Sequence, residues 1–88
     1  MTRTELAAAS DTLESAADSA GANADRLADF AGQLAQLAEA ERGPDHGRMA
    51  RIQTGLDEIQ QEVDDGTAAT IQDARTAISN YRETVDGV

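Results

Sequence analysis

No cysteine occurs in this 88-residue chain, so neither a disulfide framework nor a thiolate metal site is available to it. Tryptophan is absent too, and Phe30 and Tyr81 are the only aromatic residues. Lysine is missing altogether: all seven bases are arginine, set against seventeen acids, for a net charge of −10. Proline and histidine occur once each, as Pro44 and His46. No apolar run approaches the ~18 residues of a membrane span. The start, Met1-Thr2-Arg3-Thr4-Glu5, lacks the apolar block of a signal peptide. The expectation is a soluble, cytoplasmic protein with no cofactor and no membrane partner.

The missing lysine is the most specific of these absences, because lysine is a good helix former and the rest of the chain reads as helix. A high-salt cytoplasm accounts for it physically. At ~1 M salt the Debye length is ~3 Å, so excess negative charges repel one another weakly, and carboxylates keep the surface hydrated. An ordinary acidic protein with biased arginine usage is the plainer account. Either way nucleic acid is disfavoured as a ligand, since phosphate binding needs concentrated positive charge and the only local excess lies at 42–51.

What the chain does have is one pattern, repeated. Met49, Ile52, Leu56, Ile59 and Val63 are spaced three, four, three, four, the seam of a helix packed on other helices. Leu27, Phe30, Leu34 and Leu37 form a second such seam, widened by Ala31 and Ala38. Ile71, Ala74, Ile78, Tyr81 and Val85 form a third. Leu6, Ala9, Leu13, Ala16 and Ala20 form the weakest, since its alanines permit close approach but bury little apolar area. Eighteen of the apolar residues are alanine, and with the terminal Met1 and Val88 set aside fifteen large side chains remain for a core. A chain of this size buries only about 60–65% of its unfolded surface, so its stability is modest and association would help it.

The breaks between seams set the architecture. Gly43-Pro44 stops one helix and Asp45 can cap the next. Gly21 with Asn23, and Gly66 with Thr67, pair a helix-ending glycine with a capping residue. The pattern therefore predicts an all-α antiparallel four-helix bundle in a single domain over 1–88, with helices at about 3–20, 24–41, 46–64 and 68–85. The alternative is a hairpin of two long helices that dimerises into four. It stands because Ala20 to Leu27 is seven residues and Val63 to Ala74 eleven, intervals a continuous helix also accommodates. Gly55, beside the third seam, points to a close backbone approach.

Candidate chemistry gathers in one place. Arg42, His46, Arg48 and Arg51 surround the start of the third helix, and amides there with two or three guanidiniums could hold a phosphate or other small anion. The simpler account is that the arginines pair with nearby carboxylates while Asp45 caps the helix. No serine, cysteine or threonine lies in that turn for His46 to activate, so no catalytic residue is assigned. Carboxylate pairs at Glu14/Asp18, Asp25/Asp29 and Glu58/Glu62 read as a solvated face, because a di-metal bundle needs inward glutamates and Glu-x-x-His pairs that are absent here. No metal site is expected. Arg75 and Arg82 flank the last seam and could bridge to acids on a neighbouring helix, such as Glu62, or serve a partner interface.

The turn Arg42-Gly-Pro-Asp-His-Gly-Arg48 with Met49-Ala50-Arg51, and the ending Tyr81-Arg82-Glu83-Thr84-Val85-Asp86-Gly87-Val88, resemble those of a group of short acidic haloarchaeal proteins of unknown function. The resemblance brings no activity with it; it implies a halophilic, cytoplasmic origin. The function expected from the sequence is association: a small non-enzymatic protein binding a protein partner, a homodimer among the forms open to it. An anion-binding module or enzyme centred on 42–51 is the alternative.

Overall fold

The computed structural model describes residues 4–40 and 45–86. Arg42 and the Gly43-Pro44 break lie outside the described residues, as does the side chain of Val85. The described residues form four α-helices and no strand: α1 (Thr4–Ala17), α2 (Ala24–Glu39) after a 3-10 turn at Gly21–Asn23, α3 (His46–Gln60) and α4 (Asp65–Asp86).

Cross-helix contacts fix how these helices are arranged. Asn23 meets Glu62 and Arg26 meets Glu58, so α2 and α3 run in opposite directions. Gln60 meets Gln72 and Gln53 meets Ser79, which sets α3 against α4 in the same sense. Ser10 reaches Ala31 in α2, and Ser19, just past α1, reaches Thr67 in α4. Each helix thus has two antiparallel neighbours, with α1 and α3 on one diagonal and α2 and α4 on the other. The result is a four-helix bundle 37 Å long and about half that across.

The seams point inward. Leu6, Leu13, Leu27, Leu34, Met49, Ile52, Leu56, Ile59, Ile71 and Ile78 are all fully buried, and each contributes about 1.5–3 kcal/mol relative to exposure. The alanine-rich α1 draws close to both neighbours, as small seam residues allow. Ser10 exploits that closeness: it is buried and donates its hydroxyl proton to the Ala31 carbonyl at 2.7 Å. Phe30 is only partly buried. Its ring lies across Gly55 on α3, and a Cβ built there would stand 2.8 Å from the ring's Cε2 atom, so the close approach expected at Gly55 is to a side chain.

The two-helix hairpin does not form. Gly21 takes φ +58°, a left-handed conformation that ends helical geometry at little cost only for glycine. Asn23 does not cap α2 with its side chain, which instead donates to Glu62 at 3.2 Å. The 3-10 turn leads straight into α2, and the Ala24 N–H is met by the Gly21 carbonyl. The second break also sits earlier than the sequence suggests. Helix α3 ends at Gln60, and α4 begins at Asp65 rather than near 68. The reason is Asp64, whose carboxylate accepts the Thr67 N–H at 2.7 Å and so caps α4 in place of Thr67. Thr67 becomes a buried first-turn residue, its hydroxyl 3.1 Å from that of Ser19.

Polar side chains join α3 to α4. Arg75 donates to the Gln60 side-chain oxygen at 2.6 Å, to that of Gln53 at 3.0 Å and to Asp57 at 3.2 Å. The bridge from Arg75 to α3 therefore runs through Asp57, since Glu62 faces α2 instead. Asp57 lies one turn closer along the helix to the level of Arg75, which explains the choice.

Candidate functional site

The basic turn is assembled on the first two turns of α3. Asp45 caps the helix: its Oδ1 accepts the Arg48 N–H at 2.9 Å. Its Oδ2 stands 3.8 Å from the Arg48 Nε, an exposed pair of the kind worth little in water. His46, half-buried, turns towards α4, and its Nδ1 accepts from Arg82 Nε at 3.3 Å. An accepting Nδ1 requires the tautomer that carries its proton on Nε2. Arg51 is exposed on the outer side of α3, with its guanidinium laid back beside Gly47.

His46 and Arg48 therefore leave the helix in different directions, and Arg51 occupies a third position on its outer face. Arg82 is the residue the sequence pattern did not add to this group. It is 36 residues from His46 and only the pairing of α3 with α4 brings it there. Arg42 lies outside the described residues.

The described arginines divide sharply by partner. Arg26 pairs with Glu58, Arg48 with Asp45 and Arg75 with Asp57, while Arg82 donates to His46. Arg51 and Arg82 have no ion pair among the described residues, and of the two only Arg51 is exposed. Acids also differ from one another. At the start of α4 the Thr67 N–H, then its hydroxyl, and further the Gly66 N–H hold the Asp64 carboxyl below its ordinary value. That is a capping interaction with structural work to do.

A concavity lies on another face of the molecule. An open groove of about 190 Å³ runs between α1 and α2, lined by Ala7, Ser10, Asp11, Ala35, Ala38 and Glu39. Its floor is the close α1–α2 contact, and its two acids have no ion-pair partner among the described residues. Of these six the sequence pattern singled out Ala38 alone, as part of a seam; Ser10 is buried beside one, and the other four lie off the buried seam. Among the described residues no group of three or more His, Asp or Glu side chains is placed to hold a metal ion. No helix of the described residues is long and apolar enough to cross a membrane.

An antiparallel all-α four-helix bundle is the class that the fold defines. The chain belongs to a family of unknown function, DUF7553, whose model matches residues 1–84. No curated protein and no solved structure matches it.

Proposed function

We propose that this protein acts by association with a protein surface and not by catalysis. The observation that carries this reading is the α1–α2 groove: small apolar side chains with two acids that have no ion-pair partner among the described residues, and a serine whose hydroxyl is committed to the Ala31 carbonyl. Alanine-lined concavities between helices suit the close docking of another helix, the mode in which an amphipathic segment lies in a groove. A photo-reactive residue replacing the exposed Ala35 tests it. Discrete cross-linked protein products from position 35, absent from a control position such as Asp73 on α4, are expected. Equal labelling at both positions would overturn the reading.

A second reading has its own support. The start of α3 carries His46, Arg48 and Arg51, with Arg82 brought beside His46, and Arg42 belongs to the same stretch of sequence. These side chains diverge, so a phosphate or sulfate would meet the local positive charge of this end of the molecule without a preformed pocket. Thermal shifts with phosphate, sulfate and nucleotides would reveal it; shifts unchanged in Arg48→Ala and His46→Ala would remove it.

The acidic, lysine-free surface favours a high-salt cytoplasm as the working environment. The midpoint of unfolding should rise as salt approaches ~1 M and the repulsion between excess acids is screened. A midpoint that is flat or falls with potassium chloride would count against this.

A further inference from the structure

We infer that the α1–α2 groove receives the outer face of α3 from a second copy of this chain, so that copies associate head to tail. The inference rests on the association reading and names the partner. Two surfaces of the molecule complement each other. One is the groove, with Asp11 and Glu39 among its alanines. The other is the exposed face of α3 formed by Gly47, Ala50, Arg51 and Thr54, residues three and four apart on one side of the helix. Ala50 lets that face approach closely, while the Arg51 guanidinium lies beside Gly47.

Charge selects the pairing. Arg51 has no acidic partner among the described residues and, unlike Arg82, which is turned to His46, stands exposed; Asp11 and Glu39 have no cationic partner among the described residues. Helix α1 carries Glu5, Asp11 and Glu14 and no base. A groove packed on the same groove of another copy would set those acids against each other, so a two-fold contact there is disfavoured. Joining α3 of one copy to the groove of the next places a guanidinium between two carboxylates instead.

The two surfaces look away from each other, because α1 and α3 occupy opposite corners of the bundle. The contact is therefore heterologous, and it propagates into a ring or an open chain. Salt acts in two ways. The whole-molecule repulsion between strongly acidic copies is long-ranged and disappears first, while the contact between Arg51 and the groove acids is short-ranged and better preserved at ~1 M salt.

Sedimentation velocity on the full chain and two charge-reversed variants tests this. The wild-type protein at high salt should show species that grow with concentration. Arg51→Glu, which spoils the α3 face, and Glu39→Arg, which spoils the groove, should each be monomeric, with at least about a tenfold loss of affinity. Both residues are exposed, so the helical circular dichroism of each variant should match wild type. An equimolar mixture of the two should associate again, since each supplies a surface the other lacks. A wild-type monomer at every concentration, variants that still associate, or a mixture that stays monomeric would each overturn the inference. A monomeric wild type that still gives specific cross-links to another protein from position 35 would refute self-association and leave the association reading standing.

Discussion

Replacing Gly55 with alanine tests whether the α2–α3 contact is set by a single ring. In an unconstrained helix interior, glycine to alanine stabilises by ~1 kcal/mol through helix propensity. Here the new methyl would fall inside the space of the Phe30 ring, 2.8 Å from its Cε2 atom. Forcing a methyl into a packed contact costs about 1–3 kcal/mol. The ring has an escape, because Phe30 is only partly buried and can swing outward. Escape forfeits its shelter against Gly55 and the contact with the Arg26 guanidinium 5.9 Å above the ring. For a half-exposed aromatic that loss is about 1–2 kcal/mol, which caps the penalty.

Gly55→Ala alone should therefore be neutral to destabilising by about 1 kcal/mol, since the propensity gain and the capped penalty nearly offset. In a Phe30→Ala background the obstruction is gone, and the same substitution should stabilise by ~1 kcal/mol. The double-mutant cycle measured by urea denaturation should give a coupling of about 1–2 kcal/mol. In a chain this size each kcal/mol moves the thermal midpoint by about 4–8 °C, so the sign change is easy to read. Additivity to within ~0.5 kcal/mol would refute the claim that Gly55 is there to admit the ring.

Ser10→Val should destabilise by about 1–3 kcal/mol, because a branched side chain cannot fit where α1 lies against the Ala31 carbonyl; Ser10→Ala should cost about 1 kcal/mol at most, the worth of one neutral hydrogen bond. Both are read from the urea midpoint at constant slope. Arg75→Met should cost about 1–2 kcal/mol and keep that cost at ~1 M salt, since its shortest bond is to the uncharged Gln60 amide. Asp57→Asn should cost under ~1 kcal/mol and lose even that in salt, the carboxylate being exposed. Asp64 has its carboxyl pKa lowered in the folded state, so its contribution is complete above the unfolded value near pH ~4 and is lost as pH falls through the folded one. Asp64→Asn should therefore flatten the acid limb of the stability profile and leave its slope near neutrality unchanged; an unaltered acid limb would show that the Thr67 cap does not survive in solution.

The fold was legible because its information is periodic. Four seams at heptad spacing, with glycine and capping residues at all three junctions, leave few arrangements for 88 residues. Boundaries were legible only where one residue type decides them. Gly21 could be read because a left-handed φ is cheap for glycine alone. The start of α4 could not, because Asp64 and Thr67 are both good caps, and which one serves depends on whether Thr67 has somewhere better to go. Ser19, 48 residues away, gives it that place. The candidate site failed to be legible for the same reason at larger scale. Sequence proximity gathers His46, Arg48 and Arg51, but a helix turns ~100° per residue and sends neighbours apart. What meets His46 is Arg82, and what meets Arg48 is its own cap. The groove is the converse case: its residues are unremarkable along the chain and acquire meaning only when α1 and α2 are laid side by side. Periodicity specifies which face of each helix is buried. It leaves open how two exposed faces combine, and a binding surface on a helical bundle is made from exposed faces.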